Sequence, residues 1–263
     1  MRKPIITLLT DFGAKDHYVA SMKGVILSIN PQCTLVDISH EVHPQDIQEG
    51  AMLLANAFSY FPRGTIHVAV VDPGVGGQRK PILLQTKNYL FVGPDNGLFT
   101  MAVKMDGVKQ VIHLTHRKYF LPDISNTFHG RDIFAPVAAH LSLAIHPRRF
   151  GNKLDHWVKL SLKEPEVKGK NLYGKILLID RFGNLITNIE KEGFFGFIKD
   201  QPFLIRAGKK TIRGLIRGYD EGKKNDPMAL FGSGGFLEIS VKEGSAEKML
   251  KVKRGDTMIV EIG

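Results

Sequence analysis

Asp72, Arg79 and His129 are the side chains whose types and settings invite chemistry in this sequence. In VVDPGVGGQR, Val70 to Arg79, an apolar run stops at a carboxylate. A proline follows, then Gly74, Gly76 and Gly77, then a guanidinium. Glycines reach backbone angles denied to other residues and let a small molecule approach the chain. They also let the loop double back so that Arg79 reaches Asp72. The same residues would equally make a surface turn with an exposed ion pair, which contributes little. GVGG has neither the spacing nor the lysine of a phosphate-binding loop. His129, in NTFHGRD, can exchange a proton near neutral pH, or it can serve a helix start structurally. Asp11, closing LLTDFG, can accept two hydrogen bonds from a ribose diol or can cap a turn. GPDNG, Gly93 to Gly97, is a fourth polar cluster.

These groups need a scaffold. Pro4 to Leu9 predicts a strand, and Tyr18 to Ile29 carries apolar residues at helical spacing with Asp16 as N-cap. Cys33 to Ile38 and Ile66 to Val71 read as strands, with a helix from Ile47 to Phe61 between them. Short strands follow at Ile82 to Gln85, Tyr89 to Val92 and Val111 to Leu114, with a short helix at Gly97 to Val103. Ile133 to Ala144 is alanine-rich and helical. This alternation predicts an α/β domain over 1–163 with a largely parallel sheet. Ligands then sit outside the carboxyl ends of the strands, where Asp11, Asp72 and GPDNG fall.

The texture changes at LKEPE, Leu162 to Glu166, a charged linker. Over 170–263 short strands recur: Gly174 to Ile179, Leu185 to Ile189, Phe203 to Ile205, Thr211 to Ile216, Met228 to Phe231, Phe236 to Val241 and Met258 to Ile262. They predict a smaller all-β, barrel-like domain. DRFGN, Asp180 to Asn184, and FGSGGF, with Ser233, read as hairpin turns.

The chain has 263 residues, 43% hydrophobic, enough for a substantial core. No apolar run reaches membrane-spanning length, and the N-terminus reads as a strand and not a signal. Cys33 is the single cysteine, which fits a reducing cytoplasm. The net charge of +10 raises nucleic acid as a partner. The lysines are scattered, however, and no basic helix or aromatic stripe accompanies them, so none is expected. His113 and His116 would point to opposite faces, His40 and His43 lie in a loop, and no cluster has metal-ligand spacing.

Taken in order, LLTDFG, KGVI, VDISHEV, QEGA, DPGVGG with Arg79, GPDNG, TFHGRDIFAP, IDRFGNLITNI and FGSGGFLEISV resemble the S-adenosyl-L-methionine (SAM) hydroxide adenosyltransferases. These SAM hydrolases are relatives of the SAM-dependent fluorinase and chlorinase. The resemblance spans nearly the whole chain. It implies attack of water-derived hydroxide on the ribose C5′ of SAM, releasing adenosine and methionine, with no cofactor. It also implies a homotrimer, with SAM bound between the N-terminal domain of one subunit and the C-terminal domain of the next. Asp72, Arg79 and His129 match the family's water-activating triad. Asp11 matches the ribose-binding carboxylate, and Phe128 belongs with the substrate-binding residues. Asp180 and Ser233 match residues near the methionine end, Phe182 and Asn184 the adenine pocket. Gly130 stands where the fluorinase pattern has a fluoride-binding serine, Gly234 where it has an arginine, and Gln45 where it has an aromatic. A non-catalytic SAM or adenosine sensor is the competing reading, against which retention of the whole triad counts.

Overall fold

The computed structural model describes residues 3–161 and 163–263. They form two compact units, 1–160 and 161–263. The first runs β1 (Ile5–Thr10), α1 (Tyr18–Ile29), β2 (Thr34–Ser39), α2 (Ile47–Ala57), β3 (Ile66–Val70), β4 (Pro81–Thr86), β5 (Leu90–Pro94), α3 (Thr100–Asp106), β6 (Val108–Leu114), α4 (Ala135–Ser142) and β7 (Gly151–Leu154). Its seven-stranded sheet has the order β2-β1-β3-β5-β4-β6-β7. The α/β reading stands, with a mixed sheet. Strands β2, β1, β3 and β5 pair in parallel, and the pairs from β5 through β4 and β6 to β7 are antiparallel.

Alternating side chains of β1 and β3 serve two cores. Ile6, Leu8, Val68 and Val70 pack with Met22 and Ile26 of α1 and with α4. Leu9, Ala69 and Val71 pack with Ala51 and Leu54 of α2 and with α3. Helices on both faces are why these strands read as continuous apolar runs. Thr7 and His67, directly opposite on β1 and β3, share a buried hydrogen bond of 2.7 Å. Burial pushes the His67 pKa down to about 3.

Several local expectations need correction. Asp16 does not cap α1; His17 holds that position without a side-chain bond. Asp46 does cap α2, accepting from the Glu49 N–H at 3.0 Å. The last turn expected of α2, Phe58–Tyr60, tightens into a 3₁₀ turn. Helix α3 starts at Thr100, after the glycine turn. The helix expected from Ile133 is preceded by a π-turn, Gly130–Phe134, that continues into α4.

The second unit runs β8 (Glu166–Lys168), β9 (Asn171–Ile179), β10 (Leu185–Glu190), α5 (Lys191–Ile198), β11 (Phe203–Ala207), β12 (Lys210–Arg213), β13 (Pro227–Phe231), β14 (Phe236–Val241), α6 (Ala246–Leu250) and β15 (Thr257–Ile262). The order β12-β11-β15-β9-β10-β14-β13 is antiparallel throughout, with β8 added beside β9. Strands β12 and β13 lie against each other, so the sheet nearly closes around its core. Two helices correct the all-β expectation: α5 buries Phe194 and Ile198, and α6 buries Ala246 and Leu250. Strand β12 stops at Arg213 because Gly214 takes φ +73°. Of the expected linker, Leu162 lies outside the described residues and Glu166 opens β8. No helix among the described residues is long and apolar enough to cross a membrane.

Candidate active site

Parallel pairing of β1 and β3, with Thr10 opposite Val70, delivers Asp11 and Asp72 to the same sheet end. Two turn-like backbone bonds fold the loop after Asp72: Val75 N–H to the Asp72 carbonyl, 3.2 Å, and Gly77 N–H to the Gly74 carbonyl, 3.0 Å. Gly76 sits at φ +74°, and a Cβ on it would overlap the backbone carbonyl oxygen of Asn126. Only glycine lets this loop lie against the segment that leads to His129.

The result is a three-residue chain of contacts. Arg79 Nε donates to both Asp72 carboxylate oxygens, at 2.9 and 3.0 Å, and Nη2 donates to Oδ2. Nη2 also lies 2.7 Å from His129 Nδ1. The Arg79 and Asp72 side chains are only 9% and 5% exposed, so this ion pair is no surface pair. Phe134 of the π-turn lies under the guanidinium, 5.5 Å from ring centre to Cζ. Arg79 Nη1 is buried with no acceptor among the described residues. A buried donor without a partner costs free energy and is rare in folded proteins.

This geometry assigns the histidine tautomer. A guanidinium can only donate, so His129 Nδ1 must accept. The ring is then neutral and carries its proton on Nε2. Burial holds the His129 pKa below its ordinary value, and the Arg79 charge pushes the same way against weaker pulls from Asp72 and Asp132.

Asp11 lies beside this chain. Its Oδ2 accepts from the Gln45 N–H at 2.7 Å. Burial raises its pKa, that N–H opposes the shift, and the charge of Asp72 adds to it. Gln45 holds a left-handed backbone, φ 67°, a strained conformation for a non-glycine residue. Phe128 is 7% exposed and packs edge-on against Phe12 and Tyr18, with centroids 5.8 and 5.2 Å away. Gly130 is buried in the same cluster. A Cβ there would come within 3.2 Å of the Met22 sulfur and 3.3 Å of the Phe128 ring.

In the second unit Asp180 is occupied by its own turn. Oδ1 accepts from the Phe182 and Asn184 N–H groups, both at 2.9 Å, and Oδ2 from the Asn184 amide at 2.9 Å. Phe182 stands 77% exposed at the tip. Ser233 lies elsewhere. The 180–184 turn enters β10 at Leu185, opposite Ile239 of β14, whereas the Ser233 turn adjoins Phe236, opposite Glu190. The two turns therefore sit at opposite ends of the β10–β14 pair, three residues of β14 or roughly 10 Å apart along that strand.

The sequence singled out Asp72, Arg79 and His129 by type, but not the supporting roles of Asn126, whose carbonyl crowds Gly76, of Phe134 under Arg79, or of the Gln45 N–H that holds Asp11. Asn126 and Gln45 act through backbone atoms, which leave no residue-type signal. Among the described residues no group of three or more His, Cys, Asp or Glu side chains is placed to hold a metal ion.

The SAM hydroxide adenosyltransferase N-terminal domain matches residues 6–151, and the C-terminal domain of that family matches residues 174–259. The chain is 42% identical to an (R)-S-adenosyl-L-methionine hydrolase from Methanocaldococcus jannaschii over 94% of this chain and 92% of that one. A fluorinase from an Actinoplanes species is more distant, 28% identical over 98% of this chain and 97% of the relative. A crystal structure of an uncharacterised conserved protein from Thermotoga maritima superposes with a TM-score of 0.89 at 38% identity, covering 97% of this chain and 99% of that one. With both domains matched in order around the Asp72–Arg79–His129 contacts, this chain belongs to the SAM hydroxide adenosyltransferase family.

Proposed function

We propose that this protein is an enzyme that hydrolyses SAM to adenosine and L-methionine. The observation that carries the reading is the buried guanidinium of Arg79, held by Asp72 and His129 with Nη1 left without an acceptor. A sulfonium is already a competent leaving group, so it needs neither protonation nor a metal. What is scarce at neutral pH is hydroxide, held in line with the C5′–S bond. A water oxygen accepting from Arg79 Nη1 would lie beside a positive charge in a site shielded from solvent, where its pKa falls. The neutral ring offers an Nε2–H, so His129 donates to that oxygen and does not remove its proton. As the oxygen attacks, the O–C5′ bond forms and the C5′–S bond breaks with its electron pair going to sulfur. Neutral methionine thioether and adenosine result, and the proton of the water passes to solvent.

Asp11, at the neighbouring strand end, takes the ribose hydroxyls. The 180–184 turn takes adenine through Phe182 and Asn184, and Ser233 serves the methionine end. We further propose a homotrimer, in which the exposed Phe182 completes the site of a neighbouring copy. The tight surroundings of Gly130 leave little room for a halide-binding serine side chain.

The test is chromatography of SAM incubated with purified protein, both sulfonium epimers being offered because the Methanocaldococcus relative is named for the (R) form. Adenosine and methionine should appear, with no 5′-halogenated nucleoside in fluoride or chloride. In oxygen-18 water the label should enter the adenosine 5′-hydroxyl; unlabelled adenosine would refute direct attack by water.

A further inference from the structure

The GPDNG stretch lies in an unusual place. Strand β5 runs between β3 and β4 in the sheet. Asp72 leaves the end of β3 and Arg79 leads into β4, so the loop 72–79 must pass over the end of β5. Asp95 and Asn96 emerge at that end, between the two stems of the loop. Each stem is held from there. The Asn96 side-chain amide donates to the Val71 carbonyl at 2.7 Å, immediately before Asp72. The Asp95 backbone N–H donates to the Lys80 carbonyl at 2.9 Å, immediately after Arg79. Asn96 is itself held, its Oδ1 accepting from the Leu98 N–H at 3.2 Å. Asp95 is 8% exposed, and its Oδ1 accepts from the Val158 N–H at 2.8 Å.

We infer that Asn96 is a positioning residue for the water-activating triad: it fixes the Val71 stem against the Lys80 stem and so sets how Asp72 meets Arg79. Ordinary sheet pairing already holds the Lys80 stem, because Pro81 and Pro94 are register partners. The Val71 stem has left β3: its side chain is held by the core, but its carbonyl is held by the Asn96 amide. A plain turn-forming role would need only the Asn96 bond to Leu98. The second bond, made by the other end of the amide to a residue 25 positions earlier, does nothing for that turn.

The inference rests on the hydrolase reading, and its test separates the two. In Asn96→Ala, kcat for adenosine release should fall roughly 10- to 100-fold, the scale of a displaced catalytic group. SAM affinity by calorimetry should stay within about twofold. In a double-mutant cycle the same change should cost little more once Arg79 is already alanine, because it acts through that residue. A 15N NMR titration of His129, assigned by comparison with His129→Gln, needs no substrate. There Asn96→Ala should move the ring pKa upward as the guanidinium leaves its place. Additive effects with an unmoved His129 titration would overturn the inference, as would a loss confined to SAM affinity. If Asn96→Ala does not fold, Asn96→Ser takes its place. Failure of both to fold would also overturn it, by making Asn96 a folding residue. A wild-type protein that releases no adenosine refutes the hydrolase reading alone, since the His129 titration still reports its contact with Arg79.

Discussion

At the scale of residues, the proposed chemistry turns on one guanidinium. If Arg79 stabilises hydroxide, Arg79→Ala should lower turnover far more than SAM binding, because its charge matters most as the nucleophile forms. A loss of about 10²-fold, about 2.7 kcal/mol, is the usual scale for one preorganised stabiliser. Asp11→Ala should show the opposite emphasis, weakening SAM binding at least as much as turnover. Calorimetric affinities beside single-turnover rates separate the two. An Arg79→Ala protein that binds SAM poorly yet converts bound SAM at the wild-type rate would make Arg79 a substrate clamp. The pH profile tests His129. Its pKa is lowered by burial and then by Arg79, so the ring stays neutral below its ordinary value of 6.5. Protonation at Nδ1 would set an N–H against the Arg79 N–H groups and break their bond. The profile of kcat/KM should therefore be flat through pH 6.5 and fall only below it. An acid limb centred at 6.5 or above would contradict the neutral assignment. Residue type singled out Asp72, Arg79 and His129 as candidates in the sequence, but each type alone also fits a structural role, and it was the family resemblance that grouped them. The tautomer was not legible, since it depends on which ring nitrogen meets Arg79.

Elements bring those residues together, and here the glycines of the opening loop take separate roles. Gly76 alone combines a left-handed backbone with a carbonyl, that of Asn126, where a Cβ would be. Gly76→Ala should push the loop away from the His129 segment and separate Arg79 from Nδ1. Activity should fall at least as far as in Arg79→Ala. Thermal melting should shift by only a few degrees, because the loop lies outside the cores. Wild-type activity in Gly76→Ala would show that the close approach does not matter. The strands of the first unit could be read from their apolar runs because helices cover both faces. The π-turn could not, because it differs from an α-turn by one inserted residue and not by composition. Helix α5 was hidden for another reason. KEGFFGFI contains two glycines and three phenylalanines, poor helix formers, and burial of Phe194 and Ile198 on the barrel overrides that preference. The N-cap of α1 was misplaced by one residue because Asp16 is a good cap by type, but the helix begins at Tyr18.

For the whole molecule, the sequence shows the order of two domains but not whether copies assemble, since symmetry leaves no periodic mark on a chain. The structural clue is Phe182, an aromatic ring 77% exposed on a turn where Asp180 and Asn184 are bonded to each other. A lone exposed ring is ordinary. This one shares its turn with Asn184, and the resemblance assigns both to adenine. If the ring closes a neighbour's pocket, light scattering should give the mass of three chains, and Phe182→Ala should weaken SAM binding. Complementation tests the sharing itself. Arg79→Ala damages the first unit and Asn184→Ala the second, so each homotrimer should be nearly inactive. A mixed trimer can join the intact first unit of one chain to the intact second unit of another. Random co-assembly of equal amounts would make about a quarter of the sites whole, half times half. Co-expressed Arg79→Ala and Asn184→Ala chains should therefore recover about that fraction of wild-type activity, although neither does so alone. If the mixture stays inactive while trimers of mixed composition are confirmed by mass, each site is built from one chain, and the exposure of Phe182 needs another explanation.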